Sequence, residues 1–118
     1  MQNFKDLRVW QRTRMLVKQV YLLTTEWPNS EKYNLSSQME YSAVSGMSSV
    51  AGGSGRGSDI DFARFLNMSL GSAHRTESQQ IVLCDLGNSS EDTLGQFTSE
   101  LSEIVRMIVP LIKKLRNN

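Results

Sequence analysis

Residues 58–87 read SDIDFARFLNMSLGSAHRTESQQIVLCDLG. Ser58 followed by Asp61 resembles a capping box, in which a hydroxyl closes the free amides of a first helical turn, with Asp in place of the more usual Glu or Gln. Gly87 supplies the left-handed residue on which such a helix stops. Between them, Phe62, Leu66, Ser69 and Ala73 share one face, and Thr76 and Gln80 extend it. A helix of about 28 residues is about 42 Å long, and without a partner it is marginal in water. It must therefore lie along others of similar length.

The flanking stretches supply them. From Asn3 to Thr25, Leu7, Trp10, Leu16, Val17, Val20 and Leu23 recur at helical intervals, and Pro28 follows as a stop. A second helix starts after Asn34 or Ser36, either of which can cap it, and carries Met39, Ala43, Met47 and Val50 on one face. The glycine-rich run Gly52-Gly53-Ser54-Gly55-Arg56-Gly57 is expected to end it, because glycine loses the most backbone entropy in a helix. The last stretch carries Leu94, Phe97, Leu101, Ile104, Ile108, Leu111 and Leu115 in a near-heptad pattern. Pro110 removes one backbone bond there and is expected to kink the final turns. Short connections make neighbouring helices antiparallel. The expected fold is all-α, an up-down-up-down four-helix bundle in a single domain spanning 1–118, with helices at about 3–25, 35–52, 59–86 and 91–115.

A chain of 118 residues suits one core. Its net charge of +1 gives no global attraction to nucleic acid or anionic membrane. The charge is uneven, however. Residues 1–32 carry Lys5, Arg8, Arg12, Arg14, Lys18 and Lys32 against Asp6, Glu26 and Glu31, so any polyanion contact is expected along the first helix, with Arg8, Arg12, Arg14 and Lys18 as the candidates. One cysteine, Cys84, cannot form an internal disulfide, and no run is apolar enough to span a bilayer, so a cytoplasmic protein without membrane contact is expected. The Asn-X-Ser triplets at Asn34, Asn67 and Asn88 then read as chance.

The residues that carry a family likeness are Phe4-Lys5-Asp6-Leu7 with Val9-Trp10-Gln11, then Tyr21, Pro28, Glu31, Leu35-Ser36-Ser37-Gln38, Ala43-Val44-Ser45, Gly53 with Gly55-Arg56-Gly57-Ser58, Phe62, Arg64-Phe65-Leu66 and Leu70-Gly71-Ser72. They resemble the four-helix-bundle family encoded by intervening sequences in bacterial 23S ribosomal RNA genes. That family is similar to the accessory variability protein of diversity-generating retroelements. The resemblance implies a homopentameric ring of bundles and no catalysis. For the retroelement relatives it also implies binding to a reverse transcriptase and to nucleic acid.

The departures from the family are concentrated. Glu40-Tyr41 stand where the family usually has two arginines, and Gly46-Met47-Ser48-Ser49-Val50-Ala51-Gly52 where it usually reads Ile-Pro-Ser-Asn-Ile-Ala-Glu. His74-Arg75-Thr76 replace an aromatic, an acid and a leucine, and Gln80 a leucine. Physically, Ser42, Gly46, Ser49 and Gly53 make a small-residue stripe that either admits another helix closely or leaves a cavity. Thr76 and Gln80, if buried, each need a hydrogen-bond partner or water. Together, Glu40, Tyr41, Ser45, Gly46, Ser49, His74, Thr76 and Gln80 read as a remodelled surface or pocket, as in an engineered family member.

Catalytic chemistry is not indicated. His74 and Glu77 could share a helical face and chelate a metal, but a bundle di-metal site needs two Glu-x-x-His units with two further carboxylates, and one reversed pair is present. No metal or cofactor is expected. No elbow motif surrounds a serine. The glycine run is neither Gly-x-x-x-x-Gly-Lys nor Gly-x-Gly-x-x-Gly, so a turn between helices is expected rather than a phosphate cradle. Cys84 is expected to be a buried structural thiol. Three functions follow in order. The first is a non-enzymatic self-assembling scaffold, with Met39, Met47, Met68 or Tyr41 extending into subunit contacts. The second is a nucleic-acid-binding accessory protein acting with a reverse transcriptase. The third is a ligand or designed-assembly site lined by Ser45, Ser49, His74, Thr76 and Gln80.

Overall fold

The computed structural model describes residues 3–25 and 35–117. A short 3-10 turn, Phe4–Asp6, precedes four helices: α1, Arg8–Thr24; α2, Ser37–Ser54; α3, Asp59–Asp85; and α4, Glu91–Arg116. Pro28 and Asn34, expected as a stop and a cap, lie outside the described residues. The bundle is elongated, 46 × 21 × 19 Å. Helices α2 and α3 share the most extensive interface, α3 packs next on α4, and α1 lies on α2 and only lightly on α4. Neighbours run in opposite directions: Gly46 faces Ser69 and Ser72 while Gly53 faces Phe62 and Phe65, and Thr24 at the end of α1 meets Glu40 at the start of α2.

The expected first helix, starting at Asn3, is broken at Leu7, which is extended at φ −75°, ψ 124°. The tract Phe4 to Gln11 builds a corner instead. Asn3 Oδ1 accepts from the Lys5 amide at 3.1 Å, the Gln11 side chain donates to the Lys5 carbonyl at 2.9 Å, and the Phe4 ring meets Trp10 edge-on at 4.9 Å. The break turns α1, so its buried line is Val9, Thr13, Leu16, Val20 and Thr24, while Leu7, Trp10, Val17 and Leu23 are half-buried around it. Hydropathy passes over Thr13 and Thr24. Thr13 nonetheless donates to the Trp10 carbonyl at 2.8 Å and Thr24 to the Glu40 carboxylate at 2.6 Å, so neither hydroxyl is left unsatisfied.

Helix α2 does not stop at Gly52. It continues through Gly52, Gly53 and Ser54 and closes at Gly55. The reason is packing: a methyl at Gly53 would stand 2.5 Å from Phe65 Cβ and 3.0 Å from Phe62 Cδ1. Glycine here serves close approach to α3, and the tertiary contact outweighs its poor helix propensity of about 1 kcal/mol. The whole small-residue stripe, Ser42, Gly46, Ser49 and Gly53, is buried, together with Met39, Ala43 and Val50. Met39 is a core residue and is not available for subunit contacts.

Helix α3 keeps its expected ends. Ser58 Oγ accepts from the Asp61 amide at 3.1 Å. At the other end Gly87, at φ +80°, closes a Schellman motif through Gly87 N–H to the Cys84 carbonyl (3.1 Å) and Asn88 N–H to the Leu83 carbonyl (3.0 Å). Helix α4 starts at Ser90, whose hydroxyl accepts from the Thr93 amide at 3.1 Å. It runs unbroken through Pro110 and buries Phe97, Leu101, Ile104, Ile108, Ile112 and Leu115. Leu111, expected inside, is half-buried, and Ile112 takes its place.

The lightly packed α1–α4 side is joined by Arg12 and Glu100, bonded in a fork at 2.8 and 3.1 Å. The hydrogen bonds that Arg12 donates to Glu100, and then the Glu100 charge, raise the Arg12 pKa, so the guanidinium stays charged. Two outcomes follow for urea unfolding. Gly53→Ala should destabilise by about 1–3 kcal/mol through overpacking, although alanine is the better helix former. Glu100→Gln should cost about 1 kcal/mol, and the difference from the parent should shrink as salt is raised.

Candidate functional site

The basic residues of α1 divide into two groups. At about 100° per residue, Arg8, Arg14 and Lys18 fall on the solvent side, and all three are exposed. Arg14 lies over the Trp10 ring at 5.6 Å. None of the three forms an ion pair among the described residues. Arg12 leans towards α4, where Glu100 compensates its charge.

The residues that depart from the family pattern do not converge on one pocket. Glu40 accepts from Thr24 and joins α1 to α2. Tyr41 is 73% exposed. Ser45 is half-buried and Ser49 buried on α2. Gly46 and Thr76 line a small internal space with Thr13, Ser42 and Ser69. Gln80 is fully buried and its amide donates to Ser89 Oγ at 2.7 Å, tying α3 to the turn before α4. Gln80 Oε1 has no partner among the described residues. His74 is exposed on the far side of α3.

His74 and Glu77 rim an open groove of about 280 Å³ between α3 and α4, floored by Ala73, Leu101 and Val105 and bounded by Ser102 and Arg106. Arg106 is paired with Glu103 at 2.9 Å. The groove offers one imidazole and one carboxylate, and no group of three or more His, Cys, Asp or Glu able to hold a metal occurs among the described residues. At the α2–α3 turn, Arg56 and Arg64 lie over the Phe65 ring at 5.5 and 4.9 Å, and both approach Asp61, at 3.8 and 3.6 Å. With Ser58 already capping α3, and Asp59 and Asp61 in its first turn, this corner is electrostatically balanced. Cys84 is half-buried.

One surface was not singled out by the sequence reasoning. Ile60, Gly71 and Val82 are eleven residues apart, about three turns each, so they form a line on α3 directly opposite its buried face. Ile60 is 64% exposed and Val82 40%, with Met68 beside them at 49%. Arg64 and Arg75 repeat the same spacing alongside and are exposed. A methyl at Gly71 would meet nothing within 4 Å. A mid-helix glycine costs about 1 kcal/mol relative to alanine, and nothing within the described bundle requires it. The signal was available as the eleven-residue repeat, but the core periodicity of α3 occupies the same stretch and masks it.

No described helix is long and apolar enough to cross a membrane. Among solved structures, a protein of unknown function from the S23 ribosomal protein family of Bacteroides thetaiotaomicron has the same fold. It is 21% identical, with a TM-score of 0.83 over 89% of this chain and 98% of that one. No curated protein matches the chain in sequence. The sequence model of the 23S rRNA-intervening sequence protein family matches residues 5–110, a span that takes in the Phe4–Gln11 corner beyond Phe4, the small-residue contact of α2 and α3, and most of α4. The chain belongs to the 23S rRNA-intervening sequence protein family.

Proposed function

We propose that this protein is a non-enzymatic scaffold that self-assembles through the outward face of α3. The observation that carries this is the line of Ile60, Gly71 and Val82, with Met68 beside it, turned away from the core of its own chain. Exposed apolar side chains are ordinary when scattered. Here they are aligned on one helix around a glycine, which removes the side chain that would hold another helix away. Tyr41 on α2 and Met68 supply further exposed area for contact. The assembly implied by the family resemblance is a homopentameric ring, and the cytoplasm is its expected setting.

A second reading rests on Arg8, Arg14 and Lys18. These three cations are exposed and without an ion pair among the described residues, and they suit a nucleic-acid contact made together with a reverse transcriptase. Three phosphate contacts would make affinity fall by about 20- to 40-fold between 50 and 200 mM salt. A remodelled ligand pocket is less well supported, because Ser49, His74, Thr76 and Gln80 are distributed between the core and the α3–α4 side.

Light scattering on a size-exclusion column tests the scaffold. The expected mass is near five times that of the 13.3 kDa chain. Ile60→Lys combined with Val82→Lys should reduce it to that of one chain with helical content unchanged. A parent protein that runs as a monomer at every concentration would remove the scaffold. The triple change Arg8→Gln, Arg14→Gln and Lys18→Gln should abolish any retention of single-stranded DNA or RNA at low salt while leaving the mass unaltered.

A further inference from the structure

Where the four helices meet lies an internal space of about 10 Å³, bordered by hydroxyls of α1, α2 and α3 (Thr13, Ser42, Ser69 and Thr76), by Gly46, and on the α4 side by Ile104. Its origin is the small-residue stripe: Gly46 projects nothing into it, and a methyl there would come within 3.7 Å of Ser69 Oγ. Four of the lining residues carry hydroxyls, and all four are at least nine-tenths buried.

A hydroxyl has one proton to donate and two lone pairs that can accept. Three of the four protons are spent within their own helices. Thr13 Oγ1 donates to the Trp10 carbonyl at 2.8 Å, Ser42 Oγ to the Gln38 carbonyl at 3.0 Å, and Thr76 Oγ1 to the Ser72 carbonyl at 2.9 Å. These groups can offer the space only lone pairs. Ser69 is different: it is 1% exposed, and its Oγ has no hydrogen-bond partner among the described residues. One unspent donor and three sets of acceptors therefore border the same space.

We propose that this space is a binding site for a single water molecule, which accepts the Ser69 proton and donates to two of Thr13, Ser42 and Thr76. The match is one of number as well as size. A water has two protons to give and needs two to four polar partners, and the space admits a water-sized sphere. Leu16, Ala43, Ala73 and Ile104 line the remaining walls with carbon. The bound water ties α1, α2 and α3 to one another at mid-bundle, where the one other direct link from these hydroxyls across helices among the described residues is Ser42 Oγ to Gln79 Oε1 at 3.3 Å. Polar groups of this kind fix the register of packed helices in some bundles.

A high-resolution crystal structure of the full chain, with thermal unfolding of the parent and of Ser69→Ala, tests the site. The expected result is one ordered water within hydrogen-bonding distance of Ser69 Oγ and of two of the other three hydroxyls. The Ser69→Ala protein should lose that water and melt lower by about 3–6 °C. If the Ser69 hydroxyl were an unsatisfied group in a dry space, removing it would relieve a desolvation penalty. A Ser69→Ala protein that melts higher, an empty space in the density, or a Ser69 side chain turned back onto the Phe65 carbonyl would each overturn the proposal.

Discussion

The close approach of α2 to α3 is the constraint on which the rest of the bundle depends. At Gly53 the two helices are near enough that a methyl could not be placed without displacing Phe65 or Phe62, and at Gly46 a methyl would already touch Ser72. At Gly53 such proximity is open only to glycine, and the small side chains along α2 make this the most extensive interface in the fold. Once α2 and α3 are seated, α4 packs on α3 through an apolar row from Phe97 to Leu115, and α1 closes the remaining side on a mixed face of Val9, Thr13, Leu16, Val20 and Thr24.

The consequence is a core that is unusually rich in small polar residues, with Thr13, Ser42, Ser49, Ser69, Ser72, Thr76 and Gln80 all buried. Most of the resolved hydroxyl bonds run back to a carbonyl three or four residues earlier, which satisfies the proton inside one helix and requires nothing of the neighbour. A core built this way tolerates polarity at modest cost but gains little adhesion between helices from it. Adhesion comes from the apolar residues above and below the polar layer, and from a few side chains that do cross: Thr24 to Glu40, Ser42 to Gln79, Arg12 to Glu100, and Gln80 to Ser89.

The tract that most clearly marks the family has a structural task. Phe4, Lys5, Leu7, Trp10 and Gln11 form a corner in which a 3-10 turn, an extended residue and the first turn of α1 are joined by one side-chain hydrogen bond and one ring contact. The corner anchors the start of α1. By contrast, Ile60, Gly71 and Val82 lie on the face of α3 turned away from the core, and a methyl at Gly71 would meet nothing within 4 Å.

Helix number, helix type and most ends were legible in the sequence because they depend on local rules. Ser58 and Ser90 cap because a hydroxyl can reach the third amide, and Gly87 stops α3 because it can adopt positive φ. The apolar faces of α3 and α4 followed from periodicity, which also put Thr76 and Gln80 at core or interface positions; the structure places both in the core. What only the tertiary structure decided was the meaning of residues whose local preference is weak or contrary. Glycines 52 and 53 look like a helix end, yet stay helical because α3 lies against them. Threonines 13 and 24 look like solvent residues, yet can be buried because Thr13 spends its proton on the Trp10 carbonyl and Thr24 on the Glu40 carboxylate of the neighbouring helix. Arg12 reads as part of a basic face, yet faces Glu100, since which cation meets which acid depends on how α1 is rotated against α4. Local sequence specifies what each segment can form, and the neighbour it packs against determines which of its faces is inside.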